Sequence, residues 1–226
     1  DPVNSRYIAQ LLEAVGVDHV MVMDVHNVAA FENAFRCSVD LLEAAPLLAD
    51  KVAEQAGRHP VTIVSPDFGG AKRAQRVQEL VAVRLGAPVD FAVLEKRRDN
   101  GELSGDLIIG PVTGRHAVVV DDLISAGTTI LRAVQACRAA GALSVTAFAT
   151  HGVFAPGAER LLGPDGPDRL YVTDTLLPTR LTPAAGSAAK LVVLPASGLF
   201  AEALRRIGAG ESVVALREME RKPPAR

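Results

Sequence analysis

The sequence predicts an α/β fold, a doubly wound parallel sheet, and three observations carry that prediction. Short apolar runs at residues 61–65, 89–94, 117–120 and 144–150 lack the polar alternation of a half-solvated sheet and suit strands covered on both faces. Stretches with apolar residues at helical spacing separate these runs, with short connections between them. Polar groups stand where strands end: Asp24 and His26, Asp67, Lys96 and Arg98, Asp121 and Asp122, and His151. Ligands of open parallel sheets sit at the carboxyl ends of the strands, and scattered surface charge would not follow that rule.

In chain order, Pro2 opens a helix in which Ile8, Leu11, Leu12 and Val15 recur at helical spacing, and Gly16 closes it. Residues 19–25, HVMVMDV, read as a buried strand. Residues 40–55 read as a helix with Leu41, Leu42, Leu47, Leu48 and Val52 on one side, which Pro46 should break or restart. Strand 61–65 runs into Pro66, Asp67, Phe68, Gly69 and Gly70, followed by a helix at 72–85 and a strand at 89–94. Lys96, Arg97 and Arg98 then open a polar segment, 99–106, with no core-facing periodicity, which reads as a mobile loop before a short strand at 106–109. Strand 117–120 leads through Asp121 and Asp122 to a loop and a helix ending near Ala140, then to strand 144–150. Beyond it come a short helix near 156–162, strands at 170–173 and 191–194, a helix at 197–207, an apolar run at 212–216 suited to an edge strand, and a polar tail.

Composition narrows the function classes. The 226 residues are 49% hydrophobic and 22% charged, which fits a globular protein with one large or two small cores and excludes extended disorder. Aromatic residues make up 4% and there is no Trp, so Ala, Val and Leu must build the core. The net charge is -2 and no basic stretch is long enough to follow a nucleic-acid backbone, so no nucleic-acid partner is expected. Cys37 and Cys137 are the only cysteines and have no ligand spacing, which points to a reducing cytoplasm. No stretch has the apolar length to span a membrane.

Residues 117–131, AVVVDDLISAGTTIL, carry the most chemistry. A buried strand delivers Asp121 and Asp122 to a loop of Ser125, Ala126, Gly127, Thr128 and Thr129 that enters a helix. The first N–H groups of a helix have no internal partner, and its dipole is positive at that end, so hydroxyls and backbone donors converge where a phosphate would sit. The aspartates would repel a phosphate, but they suit the adjacent hydroxyls of a sugar. A pentose 5-phosphate offers both groups. Elsewhere, Gly69 and Gly70 let backbone donors approach an anion beside Asp67. His26 and Asp67, with substrate phosphates, suit Mg²⁺. The cations Lys96 and Arg98 would stabilise charge during phosphoryl transfer.

The string DDLISAGTT at 121–129 resembles the phosphoribosyl-pyrophosphate motif of type I phosphoribosyltransferases and ribose-phosphate pyrophosphokinases. DVH at 24–26, SPDFGG at 65–70, EKRR at 95–98 and ATHGVF at 149–154 add to it, in the order of the ribose-phosphate pyrophosphokinase family, and the resemblance runs from Pro2 to about Ile207. It implies a sheet of the type I phosphoribosyltransferase kind, with residues 43–199 as the sugar-phosphate domain and residues 1–42 with 200–226 as the remnant of a second, similar domain. It implies His26 and Asp67 at Mg²⁺ near the ATP phosphates, Lys96 as the catalytic lysine, and Arg98 beside it. It further implies Asp121, Asp122 and the loop from Ser125 to Thr129 at ribose 5-phosphate. The implied reaction moves the pyrophosphoryl group of ATP to the C1 hydroxyl of ribose 5-phosphate, in an enzyme that assembles as dimers or hexamers.

The chain departs from that family in three places. The usual segment ahead of Pro2, which packs on adenine, is missing, so the chain as given is expected to be an incomplete form. The family's DLHxxQIQGFF is DVHNVAAFENAF, and the loop that is often DTxGT is SAGTT, with Ser125 in place of an acidic residue that could act as a base. A non-catalytic sugar-phosphate-binding or regulatory homologue, or a type I phosphoribosyltransferase, stands as the alternative.

Overall fold

The computed structural model describes residues 2–57, 59–99, 102–178, 181 and 188–218; the side chains of residues 2–3, 96–99, 102–105, 188 and 218 lie outside that description, as does the polar tail from residue 219. The chain divides into two compact units, Asp1–Ala44 with Ser197–Arg226, and Ala45–Ala196.

The first unit contains α1 (Pro2–Ala14), β1 (His19–Met23), α2 (Val28–Ala34), β2 (Ser38–Leu42) and a later helix, Ser197–Ala209. β1 and β2 pair in parallel, with Val22 opposite Leu41. Residues 40–42 are therefore strand and not the start of a helix. Leu41 and Leu42 share a helical spacing with Leu47 and Leu48, but pairing with β1 satisfies their backbone groups first. Asn27 caps α2 by accepting the Ala30 N–H at 2.9 Å. Ala9, Ala34 and Phe35 form this unit's small core, with the Phe31 and Phe35 rings 4.9 Å apart. The run at 212–216 is not an edge strand either. Val214–Glu218 is a 3₁₀ turn, which buries Val213 and Leu216 at the three-residue spacing of that helix type.

The second unit is a seven-stranded sheet between helices. Its elements are α3 (Ala45–Gln55), β3 (Val61–Ser65), α4 (Ala71–Leu85), β4 (Asp90–Asp99), β5 (Glu102–Ile109), β6 (His116–Ile124), α5 (Thr128–Ala139), β7 (Ser144–Gly152), β8 (Arg169–Thr173) and β9 (Leu191–Leu194). Pro46 lies in the first turn of α3, where its missing N–H breaks no bond. The strand order is β5-β4-β3-β6-β7-β8-β9, with β5 antiparallel to β4 and the other neighbours parallel. All five residues of β3 are buried, as a strand covered on both faces requires. On one side Ala117, Val119, Val145, Ala147 and Ala149 pack with Ile130, Leu131, Val134 and Cys137 of α5. Each larger side chain in such a layer contributes roughly 1.5–3 kcal/mol by leaving water.

Two expectations change here. β6 does not stop at Val120 but runs through both aspartates to Ile124, because its ladder to β7 continues to Gly152. The described residues after Lys96 are strand: β4 extends to Asp99 and β5 runs back along it from Glu102, with a register shift between Arg97 and Arg98 that skips Ser104, and residues 100–101 lie outside the described residues. A hairpin of this kind satisfies its own backbone, so it forms without the apolar alternation that marks a half-buried strand.

The chain winds from β3 out to β4, then returns to place β6 on the other side of β3. Connections therefore diverge between β3 and β6, and that divergence opens a crevice at their carboxyl ends.

Candidate functional site

Two segments meet at that crevice. After β3, the Ser65 hydroxyl donates to the Asp67 carbonyl at 2.6 Å and the Gly70 N–H donates to Asp67 Oδ1 at 3.0 Å. This turn delivers the chain into α4. A Cβ on Gly70 would stand 3.1 Å from Ser65 Oγ, so glycine lets the turn close.

Asp121 and Asp122 lie within β6, near its carboxyl end. Asp121 Oδ1 accepts the Asp122 N–H at 2.9 Å, and Asp122 Oδ1 accepts the Leu123 N–H at 2.8 Å. Arg73, in the first turn of α4, donates from Nη2 to Asp122 Oδ2 at 2.9 Å, while its Nη1 lies 3.7 Å from Asp121 Oδ1. The Asp122 side chain is 4% exposed and that of Asp121 17%. Burial, with the adjoining Asp122 carboxylate, pushes the Asp121 carboxyl up to about 7, against the downward pull of the Asp122 N–H and the Arg73 charge.

Arg73 did not emerge from the sequence. A signal was present: it is a cation in a helix's first turn, where the dipole disfavours one, and such a placement needs a carboxylate nearby.

The loop after β6 is held from behind. Phe154 N–H donates to the Ile124 carbonyl at 3.0 Å and Ala155 N–H to the Ser125 carbonyl at 3.1 Å. Gly127, at φ +77°, turns the chain into α5. Ser125, Ala126 and Thr128 are exposed, Thr129 is half-buried, and Gly127 is buried. The first N–H groups of α5 have no carbonyl within the helix, so this exposed turn is suited to an anion. At the end of β7, His151 stands opposite Leu123 in the ladder, and its Nδ1 is 2.8 Å from Thr175 Oγ1.

The remaining sequence candidates are placed differently. Lys96 and Arg98 have their backbone on β4, on the other side of β3, and their side chains lie outside the described residues. In the β4–β5 ladder Lys96 is opposite Asp106, which Arg132 of α5 grips through Nε at 2.8 Å and through Nη2. His26 is exposed and belongs to the first unit, whereas Asp67 belongs to the second. Among the described residues no three His, Cys, Asp or Glu side chains cluster to hold a metal ion. Asp67 spends Oδ1 on its own turn. A single carboxylate of this kind is the sort of ligand a hydrated cation such as Mg²⁺ takes alongside substrate phosphates. No helix among the described residues is long and apolar enough to cross a membrane.

The phosphoribosyl synthetase-associated domain model matches residues 100–217. The chain is 35% identical over 216 residues to a ribose-phosphate pyrophosphokinase of Pasteurella multocida, covering 95% of this chain and 66% of the relative. A ribose-phosphate pyrophosphokinase of Vibrio vulnificus is 36% identical with the same coverage. The crystal structure of phosphoribosylpyrophosphate synthetase from Mycobacterium smegmatis superposes with a TM-score of 0.77 at 30% identity, covering 93% of this chain and 65% of that one. The chain thus spans about two thirds of the length of these relatives.

Proposed function

This chain belongs to the phosphoribosyl synthetase-associated family, and from that premise we propose that it serves as a ribose-phosphate diphosphokinase. The reaction is transfer of the pyrophosphoryl group of ATP to the C1 hydroxyl of ribose 5-phosphate, giving phosphoribosyl pyrophosphate and AMP. The observation that carries this reading is the carboxylate pair at the end of β6, joined without interruption to a hydroxyl-bearing turn at the N-terminus of α5.

In this mechanism Ser125, Ala126, Gly127, Thr128 and Thr129 bind the 5-phosphate through hydroxyls and helix N–H groups. Asp121 and Asp122 accept the ribose hydroxyls and orient C1. The C1 oxygen attacks the β-phosphorus and gives up its proton to solvent, and the bond from the β-phosphorus to the α-phosphate oxygen breaks, with its electron pair leaving on AMP. Lys96 and Arg98 offset the charge that shifts between those oxygens. His26 and Asp67 are the residues that would hold Mg²⁺. That cation supplies neutralisation of the polyphosphate. Assembly into dimers or hexamers and a cytoplasmic location belong to the same reading.

AMP release from ATP and ribose 5-phosphate with Mg²⁺, measured for the chain and for Lys96→Ala, tests it. Turnover that disappears with Lys96→Ala supports the synthetase. Ribose 5-phosphate binding without turnover supports a non-catalytic or regulatory homologue, and base-dependent pyrophosphate release would make the chain a phosphoribosyltransferase.

A further inference from the structure

The two aspartates at the end of β6 are adjacent in sequence but not alike in their surroundings. Asp122 has both oxygens engaged, Oδ1 by the Leu123 N–H at 2.8 Å and Oδ2 by Arg73 Nη2 at 2.9 Å, on a side chain only 4% exposed. Asp121 is more open, and the guanidinium stands 3.7 Å from its Oδ1, beyond hydrogen-bond length. A Cβ built on Gly70 would stand 3.7 Å from Arg73 Nη1, so the arginine lies over the glycine turn that follows β3.

We propose that Arg73 is a positioning residue that divides the labour of the pair: it locks Asp122 as an internal anchor and leaves Asp121 as the carboxylate that receives the vicinal hydroxyls of the sugar. The proposal rests on the sugar-phosphate reading above and refines it. A carboxylate buried with a donor on each oxygen gives a diol little access, whereas the more exposed Asp121 side chain keeps lone pairs within reach. The charged groups around Asp121 agree with this division. Asp122 on its own strand raises its carboxyl and Arg73 from α4 lowers it, while β3 ends in Ser65 and β7 presents Ala149 opposite it. Burial raises the pH above which Asp121 is an unprotonated acceptor, and Arg73 lowers it.

The test uses the full chain and two probes, ribose 5-phosphate and 2-deoxyribose 5-phosphate, whose phosphates titrate alike. Calorimetry gives the preference for ribose, and carbon-detected NMR of the free protein follows the Asp121 carboxyl. Asp121→Asn is expected to remove that preference, about tenfold for one charged hydrogen bond. Asp122→Asn is expected to lower thermal stability while most of the preference remains. Arg73→Gln is expected to raise the Asp121 titration midpoint and to lower the preference at neutral pH, with recovery on raising the pH. Arg73→Lys, which keeps the charge but not the fork, should restore the midpoint more fully than the preference. An Asp121 midpoint unmoved in Arg73→Gln would overturn the proposal, as would a folded Asp122→Asn protein that loses the preference as completely as Asp121→Asn. If the unaltered chain binds neither sugar phosphate, the functional reading fails and the sugar role of Asp121 fails with it. The NMR midpoint still decides, in that case, whether Arg73 governs Asp121.

Discussion

Gly127 lies against Leu161: a Cβ on Gly127 would stand 2.6 Å from Leu161 Cδ1 and 2.8 Å from Cγ, and Gly127 has a φ of +77°. The turn that opens α5 is thus closed by a fully buried leucine from the 3₁₀ segment Ala158–Leu162. Both the left-handed backbone and the contact select glycine. Gly127→Ala should cost about 1–2 kcal/mol for the backbone and about 1–3 kcal/mol for overpacking, read as a lower urea midpoint. Leu161→Ala should cost about 2–5 kcal/mol by leaving a cavity. The double variant should lose less than the sum of the two. Strict additivity would show that the leucine contact is not what excludes a side chain.

The carboxyl of Asp121 makes stability depend on pH in an uncommon direction. Its value rises from an ordinary 3.8 in the unfolded chain to about 7 in the fold, chiefly through burial. The folded protein therefore keeps a proton that the unfolded chain releases. This contribution to stability is whole below about pH 4 and is lost as pH rises to about 7, the opposite of a salt-bridged aspartate. Urea midpoints of the unaltered protein and Asp121→Asn should converge at acid pH. By pH 8 the asparagine variant should be the more stable, and a constant difference across that range would refute the shift.

Much of the architecture is legible in the sequence because local chemistry dictates it. The apolar runs of β3 and β6 mark strands covered on both faces, and the Gly127 turn with its following hydroxyls marks a helix entrance. What escaped detection depends on partners distant in the chain. Residues 40–42 have a helical spacing, and only β1 makes them a strand. The β4–β5 hairpin takes its order from its own ladder, which no periodicity reveals. Arg73 looks like an ordinary helix cation until β6 brings Asp122 to it, a separation of 49 residues.

Cys137 lies in the apolar layer of α5, and burial pushes its thiol up to about 12. The reactive thiolate is therefore nearly absent at neutral pH, and reagent access needs the helix to leave the sheet. Alkylation of Cys137 in native protein should proceed only as fast as global unfolding of the Ala45–Ala196 unit, followed by mass spectrometry in increasing urea. Cys37, half-buried in the other unit, should label earlier. Equal labelling rates at the two positions would contradict the packing of α5.

Arg132 and Asp106 join α5 to the hairpin that carries Lys96. Asp106 stands opposite Lys96 in the β4–β5 ladder, and Arg132 donates to both of its oxygens, with the two side chains 26% and 19% exposed. Directly opposed side chains in an antiparallel pair are near enough to form an ion pair. Arg132 thus keeps the Asp106 carboxylate occupied. Arg132→Met should release Asp106 to compete for Lys96, so AMP release should fall about tenfold or more, given the strength of a charged hydrogen bond. Ribose 5-phosphate affinity should change little. Loss of strand order alone would give a similar fall, and a second variant separates the two causes. Adding Asp106→Asn to Arg132→Met removes the competing charge without restoring the clamp. Recovery of turnover in the double variant identifies competition for Lys96, whereas continued loss, with faster hydrogen exchange along β5, identifies the clamp itself as the requirement.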